Sequence, residues 1–207
     1  MKKILLSLGA ALLLAAGAQA QTGYGLKAGV NIGKYSNDGG SKNNTSFHVT
    51  GFADLPVASN FSIQPGVSLQ GKGDKGTYTT GNLNGIESTR NTMSIEIPVN
   101  AVYYIPTGTA GSVFLGAGPY IGFNVSGKEK LKGNLGNYTG EKDWSLKIGN
   151  DKDLKAIDAG ANFMLGYKLN NGFIINAGYN LGLTDVLPRL NGTQANRVWS
   201  FGIGFQI

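Results

Sequence analysis

Apolar and polar side chains alternate with a period of two along almost all of the chain after its first twenty residues. In the stretch NGFIINAGYNLGL, Phe173, Ile175, Ala177, Tyr179 and Leu181 alternate with residues that are mostly small or polar. Alternation of this kind is typical of a β-strand whose two faces meet different surroundings. The pattern predicts roughly eight strands of about ten residues each, the length that spans a bilayer. They lie near residues 24–32, 47–55, 61–70, 93–105, 113–125, 157–169, 173–183 and 199–207.

The connections between these strands are alternately short and long. Short turns are predicted at PVASN after Leu55, at PTGTA after Ile105 and at NNG after Leu169. Short turns at one end and long loops at the other are typical of outer membrane barrels, and an even strand number puts both termini at the short-turn end. The long connections are polar and rich in Gly, Asn and Lys, and they cover about 33–45, 73–91, 127–154 and 185–196.

Three prolines, Pro65, Pro98 and Pro119, fall inside predicted strands. Proline lacks the backbone N–H that a ladder needs, so a bulge or a local gap in the pairing is expected at each of them.

The alternation alone does not decide whether the apolar face meets lipid or a bound ligand. A soluble, lipocalin-like carrier with eight strands also alternates, with its apolar face turned inward. The polar face here is mostly Gly, Ser, Asn and Thr, and charged residues are only 14% of the chain, against roughly 25% in typical soluble domains. Aromatic residues also gather near the predicted strand ends, as in interfacial girdles. The sequence therefore predicts an all-β fold, an eight-stranded antiparallel up-and-down transmembrane β-barrel, closed because hydrocarbon leaves the backbone groups of an open edge unpaired.

The first twenty residues have the character of a cleaved secretory signal peptide. Lys2 and Lys3 give a positive end, residues 4–17 are almost wholly apolar, and AQA at 18–20 fits a cleavage site. We therefore divide the chain into a signal peptide, 1–20, and an outer-membrane β-barrel domain, 21–207, and expect the protein in the cell outer membrane. The chain has no cysteine, so its fold cannot depend on disulfides.

Four segments of the mature chain resemble one family. GLKAGVNIG, FSIQPGVSLQGKG, SIEIPVNAVYY and DAGANFMLGYKLNNGFIINAGYNLGLTDV are similar to blocks of the PorT-like outer-membrane β-barrel family of Gram-negative bacteria. The resemblance implies a small eight-stranded barrel inserted by the barrel-assembly machinery, and the name-giving branch is associated with protein secretion. It also implies that this machinery reads the last strand, which gives Phe201, Phe205 and Ile207 the role of assembly signal. Such strands usually end in an aromatic residue, whereas this chain ends in Ile207.

Few side chains on the polar face could carry chemistry. An unpaired charge in a narrow lumen is costly, so charges of opposite sign there should pair or share hydrogen bonds. A lone histidine without cysteine cannot build a typical zinc site, and a histidine with Ser46 on the same face is no catalytic triad. We therefore expect no enzyme activity, no cofactor and no metal. The charged or titratable residues predicted to face the lumen are Lys27, His48, Glu96, Asp158 and Lys168.

The predicted lumen is narrow. A barrel of eight strands has an interior just wide enough for its own side chains, so general porin activity is not expected. The leading interpretation is a structural, adhesive or accessory role, with a link to secretion implied only by the resemblance. A narrow solute pore is the alternative, and a soluble periplasmic carrier is the third interpretation. The bulky residues predicted to point inward are Phe52, Tyr104, Phe114, Tyr120, Met164 and Lys168.

The expected partners are outer-membrane lipid, lipopolysaccharide and the barrel-assembly machinery. Lysines in the third long loop could attract lipopolysaccharide phosphates, although an ordinary solvated loop of mixed charge explains them equally well. The formal charge is +6, and losing Lys2 and Lys3 leaves 6 − 2 = +4. No nucleic-acid motif accompanies this charge, so no nucleic acid is expected, and no partner protein is identified. The loop lysines are Lys128, Lys130, Lys132, Lys142 and Lys147.

Overall fold

The strands form an antiparallel ring. The computed structural model describes residues 22–36, 41–77, 85–135, 138–149, 151–189 and 192–207, so the predicted signal peptide, 1–20, lies outside the described residues. No helix in these ranges is long and apolar enough to cross a membrane. The strands are β1 (Gly23–Tyr35), β2 (Lys42–Ala58), β3 (Phe61–Thr77), β4 (Glu87–Pro106), β5 (Gly111–Leu135), β6 (Tyr138–Ser145), β7 (Ile157–Leu169), β8 (Phe173–Gly182) and β9 (Asn196–Gln206).

Eight of these strands close on themselves in the order β1-β2-β3-β4-β5-β7-β8-β9, with β9 pairing back onto β1. The closing ladder runs from Gly25 opposite Gln206 to Tyr35 opposite Asn196. Backbone hydrogen bonds between Tyr24 and Ile207, of 3.0 and 2.8 Å, extend it to the last residue. The prediction of an eight-stranded antiparallel barrel is therefore confirmed.

The ring is staggered by ten residues. A path that steps from each residue to the one directly opposite it on the next strand starts at Gly122 on β5. After passing through the eight strands of the ring it returns to β5 at Ser112, so the stagger is 122 − 112 = 10 residues. With about 3.3 Å of rise per residue and about 4.8 Å between strands, this stagger tilts the strands by about 40° from the barrel axis. The path runs through Gly122, Glu96, Ser68, Thr50, Lys27, Gly204, Ile174, Lys168 and Ser112.

The two ends of the barrel differ. The start of β1, the end of β9 and the three short turns lie at one end, which we call the turn end, and the long connections lie at the other, the ribbon end. The NNG turn closes with a hydrogen bond of 2.9 Å from Gly172 N–H to Leu169 O. Gly172 has φ 91°, in the left-handed region where glycine is not penalised.

The strands at the ribbon end are longer than the sequence predicted. β4 has 20 residues and β5 has 25, so much of the predicted loops 73–91 and 127–154 is strand. Beyond the ring, β5 pairs with β6 from Lys128 opposite Ser145 to Leu135 opposite Tyr138. We call the hairpin of residues 128–145 the ribbon. Outside a membrane the exposed face of a strand carries polar residues, here Lys128, Lys130 and Lys132, so the apolar–polar alternation that reveals a strand fades.

The barrel is apolar outside and polar inside. Leu26 and Ile203 on the outer wall are 58% and 57% exposed, whereas Asn31 and Asp158 inside are fully buried. This arrangement is the reverse of a soluble protein and fits a wall surrounded by hydrocarbon. The apolar face therefore points outward. This excludes a lipocalin-like carrier, whose apolar face is turned inward.

The prolines interrupt the ladders without changing their register. On β3 and β4 the pairs Pro65–Val99 and Ser68–Glu96 keep one register across Pro98. On β4 and β5 the pairs Pro98–Tyr120 and Ala101–Ala117 keep one register across Pro119. The expected local gap is therefore present, and the register shifts lie elsewhere, for example between Met93 and Ser94.

Candidate functional site

The most buried polar cluster in the lumen is centred on Lys72, which sequence reasoning did not identify. Lys72 Nζ forms an ion pair with Glu96 Oε1 and another, of 2.9 Å, with Asp158 Oδ2. All three side chains are at most 1% exposed. β3, β4 and β7 thus each contribute one charge to the middle of the barrel.

Neutral donors surround the Asp158 carboxylate. Tyr120 OH and Asn196 Nδ2 donate to Oδ2 over 3.2 and 2.8 Å, and Thr184 Oγ1 donates to Oδ1 over 2.8 Å. Ser94 Oγ supports Glu96 in the same way, over 3.0 Å. Charge-assisted hydrogen bonds of this kind hold the negative charge that one lysine cannot balance alone.

Lys72 was missed because it lies between Gly71 and Gly73, where the alternation of β3 is lost in a glycine-rich segment. A signal was present, because Lys72 continues the inward series of Ser68 and Gln70. We expected Lys27 and Lys168 to be the cations available to the two acids. The structure instead places Lys72 against both of them.

Lys27 and Lys168 lie nearer the turn end. Lys27 Nζ lies 4.4 Å from the centre of the Phe52 ring, and Lys168 Nζ lies 4.6 Å from that of Tyr104. Lys168 also donates to Gln206 Oε1 over 3.3 Å. Both ammonium groups are thus held over aromatic faces, an arrangement that is most favourable where water is excluded.

His48 is buried and held by one partner. Its Nδ1 lies 2.9 Å from Asn31 Oδ1. The Asn31 amide nitrogen donates to Gln70 Oε1 and to Gly71 O, both over 2.8 Å, so Asn31 Oδ1 is the acceptor and His48 Nδ1–H the donor. The Ser46 hydroxyl donates to Gly71 O over 2.6 Å. The two residues therefore bond to different partners and do not form a nucleophile–base pair.

The lumen is filled with apolar side chains at the turn end. Phe52, Val102, Phe114 and Ile174 pack together there, and Tyr104 and Met164 pack against them. We call these six residues the plug. All of the bulky residues that the sequence placed inward point into the barrel interior.

A second apolar cluster lies at the ribbon end. It brings together the end of β1, the connection between β6 and β7 and the connection between β8 and β9, and each member is at most 8% exposed. We call this cluster the lid, and it is a feature that sequence reasoning did not find. Its residues are Tyr35, Leu146, Leu154, Val186 and Leu187.

A polar chamber of about 70 Å³ remains between the plug and the lid. Lys27, His48 and Ser200 line it. The amide oxygens of Asn100 and Asn162 in its wall are buried and have no hydrogen-bond partner among the described residues. The space is large enough for a few water molecules, which such groups usually bind.

The described residues hold no group of three or more His, Asp or Glu side chains that could bind a metal ion. The residues named as the assembly signal lie on or beside the outer wall. Phe201 and Phe205 are 46% and 49% exposed, and Ile207 is 82% exposed.

The sequence was compared with known families and structures. The family model described as "Outer membrane protein beta-barrel domain" matches residues 18–187. The chain belongs to this family. Family membership and the lipid-exposed wall place this outer membrane β-barrel protein in the outer membrane, and they agree with the resemblance at the level of the broader family. No curated protein matches the sequence significantly.

Three solved structures are similar to this chain at low sequence identity. Ail, the attachment invasion locus protein of Yersinia pestis, is 13% identical with a TM-score of 0.45, and the match covers 91% of this chain and 100% of that one. Neisserial surface protein A is 13% identical with a TM-score of 0.47, covering 91% and 97%. OprG from Pseudomonas aeruginosa is 13% identical with a TM-score of 0.47, covering 89% and 95%.

Proposed function

We propose that this outer membrane β-barrel protein is a closed, non-catalytic barrel of the PorT-like type, with a structural, adhesive or accessory role at the cell surface. The observation that carries the proposal is that the lumen is filled at two levels, by the plug and by the lid. A solute would have to displace both clusters and the Lys72 ion pairs between them. The ribbon end faces the outside of the cell, as the short turns and both termini at the other end favour.

The absence of catalysis is supported by the chemistry of the lumen. His48 bonds to Asn31, and Ser46 bonds to a backbone carbonyl. The two inward acids of the central cluster are both paired with Lys72. None of these groups is arranged as a nucleophile with a base.

A surface role is supported by the ribbon. It extends beyond the ring, and its β6 strand pairs with β5 along one edge. The exposed side chains of Lys128, Lys130 and Lys132 alternate along β5 with more buried ones. Lys130 forms an ion pair with Glu141, so part of this lysine charge is balanced within the ribbon.

Three partners belong to the proposal. Outer-membrane lipid surrounds the wall, lipopolysaccharide contacts the basic residues at the ribbon end, and the barrel-assembly machinery reads the last strand through Phe201, Phe205 and Ile207. The exposed aromatic side chains of β9 are consistent with that reading. A role in secretion stays a proposal that rests on the PorT-like resemblance alone.

The test is conductance. Purified mature protein, refolded in detergent and shown to be folded by different gel migration before and after boiling, is added to a planar bilayer. We expect no stable ohmic channels, because the lumen is closed at both ends. Small, reproducible unitary currents would favour the narrow solute pore and contradict the closed barrel.

A further inference from the structure

An apolar groove runs along the outer wall formed by β7, β8, β9 and β1. It is open to the surroundings and has a volume of about 720 Å³. Small side chains, Ala28 and Ala177, form depressions between larger neighbours such as Val30, Phe201 and Ile203. In the pairing of β9 with its neighbours, Phe201 lies opposite both Ala177 and Val30, and Ile203 lies opposite Ala28.

Two cations stand on the same wall, nearer the ribbon end. Lys34 and Arg197 are directly opposite each other in the β1–β9 ladder. One outward pair, Ile32 with Trp199, separates them from Val30 and Phe201 at the upper edge of the groove. From Val30 to Lys34 is four residues, or about 13 Å of strand, so the cations lie where the apolar belt ends.

Among the described residues, the two cations have no carboxylate partner. Neither Lys34 nor Arg197 forms an ion pair with any residue that the structure describes. Arg197 Nη1 donates to Gly182 O over 2.6 Å and to Asn196 O over 2.8 Å, which fixes the guanidinium at the rim of the barrel. Like charges directly opposite each other destabilise a sheet, and an anion bound between them would offset that repulsion.

We propose that this wall binds one phosphorylated glycolipid of the outer leaflet. A phosphate lies between Lys34 and Arg197, and an acyl chain lies below it along Trp199 and into the groove. The groove is part of a lipid-facing wall, and the paired cations at its upper end complement an anionic headgroup. The inference rests on the proposed function in one respect, that the ribbon end faces the cell exterior.

The chain provides a matched control. Lys42 and Lys75 are also directly opposite each other, on β2 and β3, and are also exposed at the ribbon end. They lie away from the groove, which is lined by β1, β7, β8 and β9. Replacing either pair removes two positive charges from the rim, but only the Lys34–Arg197 pair stands above the groove.

The experiment is native mass spectrometry of the full mature barrel in detergent. Three probes are added separately: bis-phosphorylated lipid A, the same glycolipid without phosphates, and inorganic phosphate. The variants are Lys34→Gln with Arg197→Gln, the control Lys42→Gln with Lys75→Gln, and Ala28→Leu with Ala177→Leu, which fills the groove. Each cation near an anionic lipid surface strengthens binding about fivefold, so losing two should weaken it about 30-fold.

We expect one lipid A per wild-type barrel, about 30-fold weaker binding by the Lys34/Arg197 variant, and little change in the control variant. The groove variant should also bind lipid A more weakly, and the phosphate-free glycolipid and phosphate alone should bind poorly to wild type. An equal loss of lipid A affinity in the Lys34/Arg197 variant and in the Lys42/Lys75 control would overturn the site. Binding of inorganic phosphate alone as tight as that of lipid A would also overturn it. No lipid A binding to a folded barrel would overturn it too.

Failure of the site and failure of the proposed function are distinguishable. Every variant is also tested for different migration before and after boiling and for conductance in a planar bilayer. A folded barrel that does not conduct and does not bind lipid A contradicts only the lipid site. A conducting barrel contradicts the closed-barrel function whatever lipid A does.

Discussion

Lys72 is one ammonium group set between two carboxylates, and all three side chains are at most 1% exposed. The group of three carries a net charge of −1, and the hydroxyl and amide groups of Tyr120, Thr184 and Asn196 share the excess negative charge on Asp158. Removing one member of a buried ion pair leaves the other charge without compensation, and this costs far more than the pair itself contributes.

Replacing Lys72 with Met should therefore destabilise the barrel by about 3–5 kcal/mol, since Glu96 and Asp158 both lose their cation. The measurement is the temperature at which the folded band disappears from an unboiled gel. Glu96→Ala should lower that temperature less, because Lys72 keeps Asp158. The control is Lys168→Met, whose ammonium contacts the neutral Gln206 amide and the Tyr104 ring. Equal shifts for Lys72→Met and Lys168→Met would contradict the stabilising role of the Lys72 ion pairs.

Gly25 tests how closely the plug is packed. A Cβ at this position would overlap the Phe52 ring and come within 3.0 Å of Phe205 O, so Gly25→Ala must displace an aromatic ring of the plug. We expect a lower yield of folded barrel on refolding into detergent, measured on unboiled gels. Gly51→Ala, on the neighbouring strand with no atom within 4 Å of the added Cβ, should refold like wild type. A normal yield for Gly25→Ala would mean that the plug is loosely packed.

The last strand is the element that closes the ring. β9 pairs with β1 on one side and with β8 on the other, and Ile207 bonds to Tyr24 through its backbone. Two unpaired edges in hydrocarbon would each leave a row of backbone groups without partners, at several kcal/mol per group. Assembly therefore requires β9 in full.

Removing residues 205–207 should leave the protein unfolded in the periplasm and sensitive to proteolysis. Cell fractionation with protease treatment measures this. Ile207→Phe, which restores an aromatic terminus, should assemble at least as well as wild type. A protease-resistant barrel formed by the truncated chain would contradict the closing role of β9.

Individual elements show how much the sequence could predict. The faces of β7 and β8 follow from the sequence because lipid on one side and a polar lumen on the other impose the alternation. The ribbon could not be found in that way, since the exposed face of β5 there carries Lys128, Lys130 and Lys132 instead of apolar residues. Lys72 was missed because its neighbours are glycines. The lid was missed because its members come from three separate segments of the chain, which are brought together only by the closed ring.

Seen as a whole, the barrel has three levels: the plug at the turn end, the polar chamber with the Lys72 cluster in the middle, and the lid at the ribbon end. The chamber walls belong to strands whose ends lie on both sides of the membrane. A reagent that reaches the chamber must therefore pass through one of the two apolar clusters.

Single cysteines can test this closure, because the chain has none of its own. Ser200→Cys lies in the chamber wall, Ser145→Cys on the ribbon and Ser59→Cys in a short turn. In intact cells a membrane-impermeant maleimide should label only Ser145→Cys. Ser59→Cys should react once the outer membrane is permeabilised, and Ser200→Cys only after denaturation. Labelling of Ser200→Cys in the folded barrel would show that the lumen is open, and labelling of Ser59→Cys in intact cells would show that the orientation is reversed.

The ten-residue stagger of the ring limits how the gene can change in length. A single codon inserted within a membrane strand would turn every later side chain of that strand to the opposite face, unless a bulge absorbed it. It would also alter the stagger of the closed ring, because the pairing of β1 with β9 and of every other neighbouring pair of strands contributes to that one value. Insertions and deletions should therefore be tolerated mainly in the connections at the ribbon end, so that we expect natural relatives to keep the barrel at one size while these connections differ in length.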